Sequence, residues 1–265
     1  FDAGLAVVMT LWGPLRWGRL RPWGRCWPAL LVGVCTGVQC AVTISPVIVH
    51  IPSQGRAIIT VRNDRAHEVM YQLTLLRWFQ QDGVDHFEPT QDFIASPPHF
   101  ALAAHATQVI RLGFRRPERL PAEQSYRLVL AEVPQVRDTQ RGPGRVDFSM
   151  QYALPVFVAP AQPESPPTLV WQWRQEAGAV VLRADNPCTR HMVVNQVGLT
   201  DAAHPNPVVQ HLSQRRVTVL AHAWREWRFP GARLEGPLPW QIWVMKDGQE
   251  APEHVPVGQL PRHAC

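Results

Sequence analysis

Proline is spread along almost the whole of this 265-residue chain, and it restricts the fold more than any other feature. The 26 prolines recur every few residues. A proline inside a helix removes a backbone hydrogen bond and clashes with the preceding turn, so this spacing excludes long helical bundles and (β/α)₈ barrels. Hydrophobic residues make up 46% of the chain, which is enough to form the core of one large or two smaller domains. We therefore expect short strands joined by turns.

The formal net charge of +5 suggests nucleic-acid binding, but the distribution of the charge argues against it. All but one of the 26 basic residues are arginines, and they are scattered rather than clustered. Residues 1–41 contain four arginines and one aspartate, so the remainder carries 22 basic and 20 acidic residues and a net charge of +2. We expect no nucleic-acid partner.

Residues 1–41 have the pattern of an upstream extension followed by a signal peptide. Four arginines precede an apolar stretch from Pro28 to Val38, which is shorter than the roughly 20 residues of a membrane span. Cleavage after this stretch predicts an exported chain without a membrane span; the alternative is an uncleaved anchor. Only Cys188 and Cys265 follow residues 1–41, and they form one disulfide or leave Cys265 as a free thiol.

Strand patterns fill the rest of the chain in two blocks. Residues 42–160 predict about seven short strands, with a hairpin turn at Asp82-Gly83 and no sustained helical period. Residues 161–167 form a proline-rich linker, and residues 168–265 predict a second strand-rich domain. The predicted fold class is all-β, with two immunoglobulin-like β-sandwich domains.

Sequence motifs for catalysis are absent. The chain has no nucleophile elbow, phosphate-binding loop or zinc-protease motif, and its 11 histidines lack the spacing of metal ligands. We therefore expect no catalytic residues, no metal and no cofactor. The alternative function is an exported carbohydrate- or surface-binding β module, which would use exposed tryptophans of the second domain: Trp171, Trp173, Trp224 and Trp227.

The last strand of the first domain, residues 145–158, alternates more regularly than any other. Period-two alternation places its large apolar side chains on one face. Such a strand is either an ordinary half-buried strand or an edge strand; Pro155, which has no N–H, favours the edge. An apolar edge strand needs a partner, and addition to another protein's sheet would supply one. The apolar residues are Val146, Phe148, Met150, Tyr152 and Leu154.

By their order and spacing along some 200 residues, several short motifs resemble the periplasmic pilus-assembly chaperones of the chaperone–usher pathway, the PapD-like family. The form of several motifs is most similar to the archaic branch, which serves spore-coat-U-like subunits. The motifs are Ile44-Ser-Pro-Val47, Ser96-Pro-Pro-His-Phe100, Thr107-Gln-Val-Ile-Arg-Leu112, Tyr126-Arg-Leu128, Leu154-Pro-Val-Phe-Val158 and Asp185-Asn-Pro187.

The resemblance implies a two-domain, L-shaped chaperone of the periplasm. In that family the chaperone lends its last strand to a pilus subunit that lacks one, and delivers the subunit to an outer-membrane usher. It places Val146, Phe148 and Met150 at donor positions, with Tyr152 and Leu154 beside them. Pilus subunits and the usher are the implied partners, and a self-capping oligomer is an additional one.

The resemblance also implies a basic anchor for the subunit's terminal carboxylate. In the better-known branch the anchors fall at positions that are Ile48 and Pro155 here, and neither binds an anion. The archaic pattern places the anchor at Arg127, with Gln151 as a polar neighbour; the alternative for Arg127 is a structural salt bridge to Glu132. Arg111 resembles a structural residue that bridges the two domains.

Overall fold

The protein is described by a computed structural model that covers residues 42–52, 55–115, 120–134, 149–161, 168–201, 209–231, 240–248 and 253–256. Eighteen strands and no helix lie in these ranges. The strands are β1 (Val42–Ser45), β2 (Val49–Ile51), β3 (Arg56–Asn63), β4 (Val69–Gln81), β5 (Val84–Pro89), β6 (Phe93–Ser96), β7 (His99–Leu102), β8 (Thr107–Phe114), β9 (Gln124–Val133), β10 (Gln151–Val158), β11 (Val170–Glu176), β12 (Ala179–Asp185), β13 (Met192–Asp201), β14 (Val209–Ser213), β15 (Val217–Val219), β16 (Trp224–Pro230), β17 (Trp240–Lys246) and β18 (Glu253–Pro256).

Strands β1–β10 form the first domain, which has two sheets. One sheet has the order β1-β3-β8-β6; the other has the order β2-β10-β9-β4-β5, with β7 also paired to β4. Alternate residues of both sheets point into one shared core, which contains Ile59 and Ile110 from the first sheet and Tyr71, Leu128 and Val156 from the second.

Strands β11–β18 form the second domain in the same manner. Its sheets have the orders β11-β12-β16 and β14-β13-β17-β18, with β15 paired to β13. Trp171 and Leu182 from one sheet pack with Val197 and Ile242 from the other in a second buried core. The predicted all-β fold is confirmed across the part of the chain that the structure describes.

A buried asparagine fixes the same kind of turn in each domain. The amides of Asn63 and Asn186 are almost completely buried, and each binds four backbone groups. Asn63 donates to the carbonyls of His67, Leu102 and Ala103 at 2.8–3.0 Å and accepts the Arg65 N–H. Asn186 donates to the carbonyls of Arg190, Val219 and Leu220 at 2.8–3.1 Å and accepts the Cys188 N–H.

The β4–β5 hairpin of the first domain contacts β16 of the second. Its turn residues Asp82 (φ 51°) and Gly83 (φ 72°) both adopt the left-handed conformation of a type I′ turn, as predicted from the sequence. The Gly83 carbonyl accepts a 2.6 Å hydrogen bond from Nη1 of Arg225, whose guanidinium also pairs with Asp85. Gln80 exchanges two hydrogen bonds with the backbone of Thr218 and Leu220.

Apolar and histidine contacts complete this interdomain junction. Trp78, Phe157 and Leu220 form a small buried cluster between the domains. The ring of Phe157 stacks on His191 with centroids 3.6 Å apart, and His191 Nδ1 lies 2.5 Å from Oε1 of the buried Glu123. These contacts fix the two walls of the cleft described next.

Candidate functional site

A cleft of about 850 Å³ lies between the two domains. The first domain contributes Arg127 and an aromatic floor. It also contributes Ile48 and Pro155, two residues that cannot bind an anion. The second domain contributes mainly polar and charged residues. The cleft is lined on this second side by Arg190, His191, Met192, Val193, Arg216, Thr218, Lys246 and Asp247.

Arg127 is held in the cleft by aromatic rings. It lies on β9 opposite Pro155 of β10, and its Cζ is 4.1 Å from the ring centroid of Trp78 and 5.9 Å from that of Phe87. Trp78 is fixed in turn, because its Nε1 donates a 2.7 Å hydrogen bond to Asp85. Burial lowers the pKa of the Arg127 guanidinium, and the negative charge of Asp85 opposes this effect.

The alternative role of Arg127, a salt bridge to Glu132, is wrong. Glu132 forms a bidentate pair with Arg65, with N–O distances of 3.1 and 2.7 Å. No carboxylate of the described residues lies within ion-pair distance of Arg127. The aromatic rings contact the face of the guanidinium. Its N–H groups have no anionic partner within this part of the chain.

Burial and hydrogen bonding also shift the pKa of Asp85, which connects the interdomain junction to Arg127. Burial alone would raise the pKa of Asp85, but hydrogen bonds from Trp78 and Gln80 and the charge of Arg225 lower it overall. Asp85 is thus held as an anion that binds Arg225 of the second domain and Trp78 beneath Arg127.

The β10 strand has an unpaired edge beside the cleft. β10 pairs with β9 along its whole length, Gln151 to Val158, but with β2 only along Val156–Val158. Over Gln151–Pro155, the outer edge has no neighbouring strand among the described residues.

The predicted donor residues occupy different environments. Val146 and Phe148 lie outside the described residues. Met150 is 43% exposed; Tyr152 is half-buried against the core of the first domain, and Leu154, 7% exposed, belongs to that core. Leu154 therefore stabilises the domain itself, and its side chain is not at the surface for a partner.

Gln151 does not join Arg127 in the cleft. Its exposed side chain lies at the start of β10, four residues from Pro155, and it does not line the cavity. The prediction of Gln151 as part of the carboxylate anchor is therefore not supported by its placement.

The prediction that Arg111 bridges the domains is wrong. Arg111 is exposed on β8, in the four-stranded sheet, whereas the interdomain contacts described above are made by the β4–β5 hairpin, Phe157 and Glu123. Arg225 makes the bridge through Gly83 and Asp85. Nothing in the sequence distinguishes Arg225 from the other arginines, because its partners are about 140 residues away.

The four tryptophans of the alternative function do not form a common surface. Trp171 and Trp227 are buried and pack together with centroids 5.4 Å apart, and Trp224 stacks beneath Arg183. Of the four, Trp173 alone is an exposed residue, at 41%. This arrangement disfavours a platform of tryptophans for a sugar.

Three further features bear on the sequence predictions. The described residues contain no group of three potential metal ligands. They also include no helix with the length and apolar character needed to cross a membrane. Cys188 forms a disulfide, and its partner lies outside the described ranges.

Solved structures with the same fold are chains from chaperone structures. A chain of the CsuC–CsuE chaperone–tip adhesion subunit pre-assembly complex from archaic chaperone–usher Csu pili of Acinetobacter baumannii matches with a TM-score of 0.60 and 19% identity, over 82% of this chain and 98% of that one. The Salmonella enterica SafA pilin–SafB chaperone complex matches with 0.55 and 17% identity, over 82% and 96%. The E. coli chaperone DraB matches with 0.53 and 18%, over 83% and 96%.

These likenesses, together with the cleft and the unpaired strand edge, define the fold of a two-domain, PapD-like chaperone. A search of curated sequences finds no match. Residues 41–164 match the model of the family described as "Pili and flagellar-assembly chaperone, PapD N-terminal domain". The first domain of this chain is therefore similar to the N-terminal domain of that family, which is a family of assembly chaperones and a non-enzymatic class.

Proposed function

We propose that this chaperone captures a pilus subunit by adding β10, with the residues that precede it, to an incomplete β-sandwich of the subunit. The observation that carries this proposal is the unpaired outer edge of β10 over Gln151–Pro155. An open strand edge presents backbone N–H and C=O groups that another strand can pair with.

The direction of the backbone groups supports this use. The Glu132 N–H donates to the Met150 carbonyl at 3.0 Å, so the even-numbered residues of β10 direct their backbone groups toward β9. The odd-numbered residues Gln151 and Ala153 then direct theirs to the open edge. Pro155 has no N–H to offer there, so an added strand would end its regular pairing at this residue, next to Arg127.

Side-chain burial would add to the backbone pairing. Met150 continues the apolar face of Tyr152 and Leu154 beyond the domain's own core. The alternation of the sequence predicts that Val146 and Phe148 belong to the same face. Each large side chain buried in a subunit groove contributes about 1.5–3 kcal/mol, so no nucleotide is needed to drive capture.

Arg127 is the proposed anchor for the subunit's C-terminal carboxylate. Its guanidinium is fixed by Trp78, has no carboxylate partner in the described residues, and lies across from Pro155, where the added strand would end. A planar guanidinium binds a carboxylate with two parallel hydrogen bonds.

The cellular setting follows from the same proposal. We place the chaperone in the periplasm after cleavage of the signal peptide within residues 1–41, where it would deliver subunits to an outer-membrane usher. The archaic branch is the proposed subfamily, because the sequence motifs resemble it. A self-capping oligomer of the free chaperone would protect the apolar face until a subunit binds.

We expect Ala153→Pro to weaken subunit capture about two- to tenfold, because it removes one outward N–H, a hydrogen bond of about 0.5–1.5 kcal/mol. The inward pairing with β9 stays intact, since Tyr152 and Leu154 provide it. The measurement is recovery of a co-expressed subunit from periplasmic extracts. Ala153→Val, which keeps the N–H, is the matched control, and equal recovery with both variants would contradict strand addition at this edge.

We expect Arg127→Gln to reduce the same recovery about 10- to 100-fold, because charge-assisted hydrogen bonds contribute about 1.5–3 kcal/mol. Arg111→Gln removes an exposed arginine from the opposite sheet and serves as the control. Recovery that falls equally with both variants would indicate a general charge effect and would refute the anchor.

A further inference from the structure

The second domain also presents cations to the cleft, and they differ in their partners. Arg216 is neutralised by Asp247, with an N–O distance of 3.0 Å. Lys246 makes a further interaction within the chain. Arg190 is exposed, lines the same cavity as Arg127, and has no carboxylate within ion-pair distance among the described residues.

The backbone of Arg190 is fixed in place. Its carbonyl accepts a 2.8 Å hydrogen bond from the buried Asn186 amide, and the next residue, His191, binds Glu123 of the first domain through both its backbone N–H and its ring. The position of Arg190 relative to the first-domain wall is therefore set by the interdomain junction and not by a free loop.

The electrostatics of the cleft agree with this geometry. His50 lies on the cleft floor, and its pKa is lowered first by burial and then by the charges of His191 and Arg190, while Glu123 acts in the opposite direction. The positive charge of Arg190 thus reaches the cavity in which Arg127 presents its guanidinium.

We propose that Arg190 is a second anion-binding residue, so that the terminal carboxylate of a bound subunit is held by one arginine from each domain. This inference rests on the proposed function, in which Arg127 binds that carboxylate. It adds a consequence: because the two arginines belong to different domains, the carboxylate bridges the domains, and binding stabilises their junction.

The test uses the full chain and a defined probe, the strand-forming peptide acetyl-Val-Thr-Val-Thr-Val, as the free acid and as the C-terminal amide. Binding is followed by NMR of ¹³C-labelled histidine rings, with the His50 signal assigned from His50→Gln. We expect the wild-type chain to prefer the acid, and the acid to raise the pKa of His50. Arg190→Gln should reduce the preference for the acid about threefold, as for an exposed ion pair, and should itself raise the pKa of His50.

Arg215→Gln is the matched control, because Arg215 is exposed nearby but does not line the cavity. If Arg127→Gln reduces the acid preference and Arg190→Gln reduces it no more than Arg215→Gln, the role of Arg190 is refuted while the Arg127 anchor stands. If the wild-type chain binds acid and amide equally, or binds neither, the cleft is not a carboxylate site and both assignments fail.

Discussion

Met150→Asp should reduce recovery of a co-expressed subunit by about 100-fold or more while leaving the free protein folded. The lost burial of the methionine side chain costs about 1.5–3 kcal/mol, and a carboxylate placed in an apolar subunit groove adds a desolvation penalty. The free protein should tolerate the change, because Met150 is 43% exposed and surface substitutions alter stability by only about 0.5 kcal/mol.

Two controls separate this effect from a general one. Met150→Leu keeps an apolar side chain of similar volume and should retain capture. Ile58→Asp introduces the same charge at a more exposed apolar residue (59%) of the four-stranded sheet, away from the β10 edge, and should also retain capture. Normal recovery with Met150→Asp, or a loss that Ile58→Asp reproduces, would rule out β10 as the donor strand.

Local features of the first domain were predictable from the sequence because they depend on nearby residues. The Asp82-Gly83 pair predicts a hairpin turn, and the structure has both residues at positive φ, as in a type I′ turn. The alternation of residues 145–158 predicts which side chains share a face, and the burial of Leu154 and Val156 follows that face. Alternation does not indicate where a domain's own core ends. The pattern alone therefore could not show that Leu154 is buried in that core while Met150 is exposed.

Interdomain contacts were not predictable, since they join residues far apart in sequence. Arg225 meets Gly83 and Asp85 across about 140 residues, and no local pattern encodes that pairing. Arg111 was selected by resemblance, but a motif places a residue on a strand without fixing what lies opposite it. The same limit applies to Arg190, whose place in the cleft depends on the turn that Asn186 holds and on the Glu123–His191 contact.

Arg127 illustrates what resemblance and geometry each contribute. The sequence motif identifies the residue, but it gives no reason for the guanidinium to stay at the cleft wall. The structure supplies one: Arg225 of the second domain binds Asp85, Asp85 accepts a hydrogen bond from Trp78, and the Trp78 ring lies against Arg127. The position of Arg127 is therefore coupled to the junction between the domains, and a change at the β4–β5 hairpin should affect both.

Gly83→Ala is the substitution that should disturb this junction most directly, with an expected loss of about 2–5 kcal/mol in unfolding free energy. Gly83 has φ +72°, where a side chain costs about 1–2 kcal/mol. An added Cβ would also lie 2.5 Å from Cζ3 of Trp224, and overpacking of this kind costs about 1–3 kcal/mol. The measurement is urea-induced unfolding followed by circular dichroism.

Gly178→Ala separates the two causes, because Gly178 has nearly the same backbone, φ +73°, and no atom within 4 Å of an added Cβ. It should lose only the backbone part, about 1–2 kcal/mol. In a Trp224→Ala background the excess cost of Gly83→Ala over Gly178→Ala should disappear, since the ring that meets the new methyl group is gone. If the two glycine substitutions cost the same in the wild-type background, the hairpin does not pack against Trp224 as described.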